Sequence, residues 1–248
     1  MTTITAEQAE QFRTEGWFVL EDALDAEQLA LLRGGAQHAV DKADAQMDAA
    51  GVDRLGINAK GKRYFSNAVY EELPDLRKFL FGETMAQVCR ATLGTQSYLF
   101  WEQYVIKTSD PDTSFSWHQD SGFVHENHEP YVTCWIPLDD VDEENGTVSL
   151  LPYSRSGIRS YIRHIRDPRT NDEVCYFGAD PGMPLIAEAG SIVVFSSTVI
   201  HRSGANRTDR PRRAYTVQYS KDVIQKADGS GPWGGAAPFL ADGEIVGS

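Results

Sequence analysis

The sequence predicts a mainly β protein with flanking helices: an antiparallel sandwich or barrel with an N-terminal helical region packed outside. Three observations carry that expectation. Residues 1–93 hold apolar side chains at helical spacing. From Gly94 to about residue 220 the chain breaks into short runs rich in β-branched and aromatic residues, separated by turns. At 248 residues and 41% apolar content, one core is the simplest arrangement.

Thr5, with Gln8 three residues on, has the capping-box pattern and opens a short helix to about Gly16. "WFVLED" breaks the helical period and reads as a strand. From Asp25 to about Met47, Leu29, Leu32, Ala36 and Val40 fall on one face of a long amphipathic helix, weakened only at Gly34-Gly35. A Gly-punctuated loop, "AAGVDRLGINAKGKR", leads to a second periodic helix from about Pro74 to Leu93. Then "SYLFWEQYVIKT", "YVTCWIPL", "GTVSLLPY", "PLIAE", "SIVVFSS" and "RAYTVQYS" read as strands. The expected organisation is one domain: residues 1–93 as helical support, 94–220 as the β core, and 221–248 as a Gly-rich tail with isolated large apolar residues. That tail fits a frayed end, a lid or a subunit contact.

Charge and composition narrow the function. Lys and Arg number 23 against 36 acids, a net charge of −13 that repels a phosphate backbone, so nucleic acid is not expected as a partner. Basic clusters from Arg159 to Arg169 and from Arg207 to Arg213 leave room for an anionic small molecule. Apolar runs stop far short of the roughly 20 residues a membrane span needs. The start shows no basic region followed by an apolar block, so a cytoplasmic protein is expected. Cys89, Cys134 and Cys175 lack metal or redox spacing and read as small core hydrophobes. Oligomeric state stays open.

Three of the six histidines fall within "SFSWHQDSGFVHENH", Ser114 to His128. In an extended chain His118 and Asp120 share a face, about 6 to 7 Å apart at the backbone, and can converge on one ion. A third ligand must come from His38, His125, His128, His164 or His201. His38 falls in a predicted helix, His164 sits among arginines, and the His125/His128 pair lacks a helical frame. His201 follows the strand "SIVVFSS". Two histidines and one carboxylate form the open face that non-haem Fe(II) oxygenases use, and the spacing supports His118, Asp120 and His201.

"WHQD", "CWIPLDDVDEENGTVSLLP" and the pattern H-x-S-x-x-N-x-T-x-x-x-R from His201 to Arg212 together resemble the phytanoyl-CoA dioxygenase family. The resemblance covers most of Trp117 to Arg212. It implies a double-stranded β-helix (jelly roll, cupin-like) and an Fe(II)- and 2-oxoglutarate-dependent dioxygenase. His118, Asp120 and His201 would bind iron, and Arg212 would hold the far carboxylate of 2-oxoglutarate, a role that suits a bidentate guanidinium. Ser203 would assist at the same carboxylate, with Gln103 near the co-substrate. By strand alternation Arg213 should point away. The implied reaction consumes O2, converts 2-oxoglutarate to succinate and CO2, and oxidises a C–H bond of a small-molecule metabolite or natural-product intermediate. Hydroxylation is the default outcome, with desaturation, cyclisation or epimerisation as alternatives. Halogenation is disfavoured, because halogenating relatives replace the carboxylate with a small residue.

Many relatives read P-G-S-H where this chain has "LPYSRSG", and nothing here suggests a coenzyme A site. Candidate substrate-facing residues are Trp117, Phe123, His125 and Arg163. Two other classes compete. A zinc hydrolase could use the same ligands but gives Arg212 no role; a non-catalytic jelly-roll binding protein would release no succinate.

Overall fold

Alternation along one central strand, Arg212–Ser220, organises the molecule. Tyr215, Val217 and Tyr219 point to one side, into a large core shared with the helices. Arg212, Thr216 and Gln218 point to the other, into a cavity. This is the two-residue period of a strand, with one side chain up and the next down. The partner strand Ser97–Lys107 obeys the same rule: Tyr104 and Ile106 join the core, while Trp101, Gln103 and Val105 line the cavity.

The computed structural model describes residues 3–110, 113–168, 170 and 172–246. Its larger sheet runs Trp17–Leu20, Ile192–Ser196, Val132–Pro137, Arg212–Ser220, Ser97–Lys107, Arg63–Asn67, then the two-residue strands Asn58–Ala59 and Arg54–Leu55, all antiparallel neighbours. The smaller sheet runs Met183–Pro184, Val148–Leu151, Ile200–Ser203 and Phe115–His118. Side chains of both sheets line the cavity, as expected of a jelly roll.

Helices cover the outer face of the larger sheet. Ala6–Glu15 is opened by the reciprocal Thr5–Gln8 capping box and stopped by Gly16 in the left-handed region at φ 83°. Ala26–Ala50 is opened by a second box, Asp25 with Gln28, and buries Leu32, Ala36, Ala39, Ala43 and Met47. The buried face is therefore rotated from the expected one, with Leu29 and Val40 only partly covered. Gly35 explains the rotation: a Cβ there would collide with the Tyr104 hydroxyl, so the missing side chain lets helix and sheet approach closely. Among the described residues, no helix is long and apolar enough to cross a membrane.

Three expectations need correction. The helix predicted from Pro74 to Leu93 is two helices, Leu76–Leu80 and Glu83–Thr92. The break falls at Phe81-Gly82, where a Cβ on Gly82 would run into the Lys78 carbonyl. "PLIAE" contributes only Pro184, to the short strand Met183–Pro184, and Ala187, to an isolated antiparallel bridge with Val141. Part of the tail is ordered rather than frayed: Ala237–Ala241 pairs with Ser97–Lys107, and Phe239 and Leu240 are fully buried. Phe239 packs edge-on against Phe81 and also against Tyr219, so the tail completes the core.

Candidate metal centre

His118 ends the strand Phe115–His118, and His201 is its register partner on Ile200–Ser203. Asp120 opens the 3-10 turn Asp120–Phe123 that follows. Extended backbone at Gln119 (φ −110°, ψ 142°) puts His118 and Asp120 on the same side. One ligand atom from each of His118, Asp120 and His201 lies within 4.8 Å of the other two, the only such cluster among the described residues. Asp120 Oδ1 is 3.5 Å from His201 Nε2 and 3.9 Å from His118 Nε2.

Each donor is oriented from behind. His118 Nδ1 donates to the Ser116 carbonyl (2.7 Å) and His201 Nδ1 to the Val199 carbonyl (3.0 Å). Those bonds fix the tautomer and leave both Nε2 lone pairs facing the centre. Burial, and then the neighbouring His201 ring, holds the His118 imidazole well below its usual pKa, in the neutral form a metal ligand requires. Asp120 Oδ2 accepts from Thr133 Oγ1 (2.6 Å) and Gln218 Nε2 (3.0 Å), so Oδ1 is turned inward.

Gln119, between His118 and Asp120, is fully buried and clipped from the far side. Its amide donates to Thr198 O (2.6 Å) and Ser160 O (3.0 Å), and its carbonyl accepts from Ile162 N (2.9 Å). Its backbone N–H donates to His164 Nε2 (2.9 Å). Since His164 Nδ1 faces the Ile162 carbonyl, the ring carries its proton there and accepts at Nε2. A Cβ on Gly122 would strike that ring, so the glycine lets it lie against the turn. His164 is thus a brace for the turn Asp120–Phe123, a role its sequence position among arginines did not reveal.

The cavity has a volume of about 490 Å³. At its inner end Arg212 is 1% exposed, with Nε and Nη1 unpartnered in the structure and the guanidinium 5.7 Å from the Trp135 ring. Burial pushes its pKa down to about 10, still cationic at neutral pH. Arg213 points the other way, as alternation requires, and forms a two-pronged ion pair with Asp139. Ser203 lines the cavity, and its Oγ accepts from Lys107 Nζ (2.8 Å), which also donates to Gly204 O (2.8 Å). Lys107 is fully buried, and burial followed by the Arg212 and Arg63 charges depresses its pKa strongly. Sequence reasoning missed it, although it shares the inward parity of Gln103 four residues earlier. Gln103 lines the cavity too, donating to Asn67 Oδ1 (2.7 Å).

Of the substrate-facing candidates, Phe123 and His125 line the mouth, and Phe123 packs edge-on against His118. Trp117 does not line the cavity. Its parity is opposite to that of His118, and its ring packs with Leu151 and Ile200 beneath the Arg202 guanidinium. Arg163 is exposed outside the cavity; from its cluster Arg166 reaches the wall, paired with Glu173 at 2.9 Å. Arg169 lies outside the described residues. His128 bonds Ser121 Oγ and the Glu126 carbonyl, and His38 bonds Glu72, so neither joins the centre.

Fold and site together define a class: a jelly roll that holds two imidazoles and one carboxylate in a pocket beside a buried guanidinium. The chain belongs to the phytanoyl-CoA dioxygenase family, whose model matches residues 12–214. It is 25% identical over 156 residues to a phytanoyl-CoA dioxygenase domain-containing protein 1 homolog of Caenorhabditis briggsae, covering 58% of this chain and 54% of that one. The chain thus spans about half the length of that relative. It is also 25% identical over 239 residues to an ectoine dioxygenase of Bordetella bronchiseptica, covering 88% of this chain and 75% of the relative. Among solved structures, a non-heme alpha ketoglutarate dependent carbocyclase from nogalamycin biosynthesis has the same fold, with TM-score 0.70, 18% identity, and coverage of 92% of this chain and 88% of that one.

Proposed function

We propose that the protein is an Fe(II)- and 2-oxoglutarate-dependent dioxygenase that oxidises, by default hydroxylates, an unactivated C–H bond of a small-molecule metabolite. One observation carries the reading: a buried, unpartnered Arg212 guanidinium shares a cavity with the His118, Asp120, His201 cluster. A fully buried cation with two idle nitrogens requires an anionic partner, and a carboxylate matches its fork. The donor set fits Fe(II), with two imidazoles and one carboxylate on one side of the ion. Bound together, the metal and its keto acid supply O2 activation coupled to decarboxylation of 2-oxoglutarate to succinate and CO2.

The chain's own residues do the rest. His118, Asp120 and His201 hold the metal, and Thr133 and Gln218 keep the second oxygen of Asp120 engaged so that the carboxylate offers one atom inward. Arg212 anchors the distal carboxylate, and Lys107 holds Ser203 beside it. Gln103 flanks the co-substrate from the next strand, opposite Thr216. Phe123 and His125 guard the mouth against bulk water. Desaturation, cyclisation or epimerisation would use the same centre, and the likeness to a carbocyclase keeps cyclisation in view. A zinc hydrolase leaves Arg212 without a task. We take the compartment to be the cytoplasm, a reducing setting that suits three free cysteines.

The test is succinate release. In air, with Fe(II) and 2-oxoglutarate, a panel of metabolites should include members that stimulate succinate formation in wild type and not in His201→Ala. Hydrolysis of esters or amides with zinc, and no succinate with any metal, would replace this reading with the hydrolase.

A further inference from the structure

The two ends of the cavity differ in chemistry, and the outer end bears on what is accepted. Trp101, from the strand Ser97–Lys107, and Trp233, from the C-terminal tail, both line it, with ring centroids 5.7 Å apart and planes 34° from parallel. Trp233 in turn stacks on Phe100 (5.3 Å, 30°), and Phe100 rests against Tyr131 (4.9 Å). The result is one continuous aromatic wall. A second aromatic pair, Phe65 and Phe115, meets edge to face at 5.4 Å on the same cavity.

Free positive charge is absent from this wall. Arg166 is paired with Glu173. Asp172 accepts from the Ser116 backbone N–H (3.1 Å) and hydroxyl (2.7 Å). Arg202 donates to the Pro181 carbonyl (3.1 Å) and lies over Trp117. Among the described residues, the lining cation without a partner is Arg212 at the inner end, which the co-substrate takes. An anionic substrate would lose its hydration without gaining a counter-ion. A flat, uncharged ring would gain stacking contact along Trp101 and Trp233 at no such cost.

Resting on the Fe(II)/2-oxoglutarate reading, we propose that the substrate is a planar ring system without negative charge, selected by an aromatic shelf of Trp101 and Trp233, and that the tail is the specificity element that completes this shelf. The tail is anchored for that role. Trp233 N–H donates to Ile224 O (2.8 Å), Gly235 N–H to Phe100 O (2.7 Å), and Ala237–Ala241 joins the sheet edge two residues later. A Cβ on Gly234 or Gly235 would press on the Phe100 carbonyl, so both glycines let the segment lie flat against the strand.

The experiment uses three matched probes on the anaerobic protein loaded with Fe(II) and 2-oxoglutarate, loading being checked by the visible metal-to-ligand charge-transfer band. Calorimetry should show 2-naphthol binding, with 2-naphthoate (same ring, one charge) and decahydro-2-naphthol (no charge, no flat ring) each at least about tenfold weaker. Trp233→Ala should lose about tenfold for 2-naphthol while its 2-oxoglutarate affinity stays at the wild-type value, and Trp233→Phe should restore most of the loss. Equal or tighter binding of 2-naphthoate or the decahydro compound overturns the proposal, as does a banded complex that binds none of the three. A missing band overturns the dioxygenase reading instead.

Discussion

The two faces of the strand Arg212–Ser220 are built to opposite specifications. On the helix side Tyr215, Val217 and Tyr219 are 0% exposed and packed among other apolar groups. On the cavity side Arg212 is equally inaccessible, yet two of its nitrogens have no partner. Both faces are buried, so burial does not separate core from site. Charge does: the Tyr215 hydroxyl on the core face is also unmatched but neutral, whereas Arg212 leaves a cation's donors open; an unmatched buried donor costs about 1–3 kcal/mol, more when charged, and the larger cost persists where a ligand removes it.

The largest effect that sharpens this contrast is on the cavity side. Asp120→Ala should abolish metal-dependent turnover and reduce Fe(II) affinity at least about a hundredfold, while the melting temperature of the metal-free protein changes little. Ligand-free unfolding scans and Fe(II) titration check both halves. Wholesale unfolding of the variant would show that the cavity face carries core stability after all.

On the helix side the expected effect is the reverse. Phe239→Ala should destabilise the fold by about 3–5 kcal/mol in urea unfolding, because a fully buried ring contacting Phe81 and Tyr219 is removed. The folded fraction should bind Fe(II) and 2-oxoglutarate normally. Altered affinity there would mean that the two faces are coupled through the sheet.

Glu102 gives a pH-dependent test of the same side. It is 2% exposed, accepts from the Val69 N–H, and burial raises its pKa from 4.5 to about 7. A carboxyl whose folded pKa exceeds its unfolded value binds more protons when folded. Its contribution to stability is therefore complete below about pH 4.5 and is lost as pH rises through about 7, amounting at most to about 3 kcal/mol. Glu102→Gln should flatten that slope, read by denaturant midpoints at pH 5 and pH 8. An unchanged slope would assign the titration to another group.

The smallest effect concerns the clip behind His118 and Asp120. His164→Ala removes the acceptor for Gln119 N–H and the ring beside Gly122. Fe(II) affinity should fall about tenfold. His164→Asn, which retains an acceptor, should recover part of it at equal stability. Equal affinities in the two variants would reduce His164 to simple packing.

What was legible follows the range of each interaction. The capping box at Thr5 acts over three residues and marks the first, short helix, while the long helix after Asp25 was legible from its apolar period. His118 and Asp120 share a face because the chain is extended between them, a local property. His201 and Arg212 required the longer pattern H-x-S-x-x-N-x-T-x-x-x-R, and alternation then separated Arg212 from Arg213. The same alternation, applied further, would have turned Trp117 outward and Lys107 inward. The Gln119–His164 bond spans 45 residues and leaves no sequence period. Nor does the anchoring of Trp233, which depends on where the tail meets the sheet edge. The break at Gly82 was visible as a glycine, but apolar spacing on both sides concealed it.

The most direct measurement is an anaerobic titration of wild type and Arg212→Ala, first with Fe(II), then with 2-oxoglutarate, following the visible charge-transfer band. Both proteins should take up Fe(II) equally, and the variant should bind 2-oxoglutarate about tenfold to a hundredfold more weakly, the worth of a charge-assisted pair. Wild type without the band, or a variant that binds 2-oxoglutarate as tightly as wild type, would contradict the account.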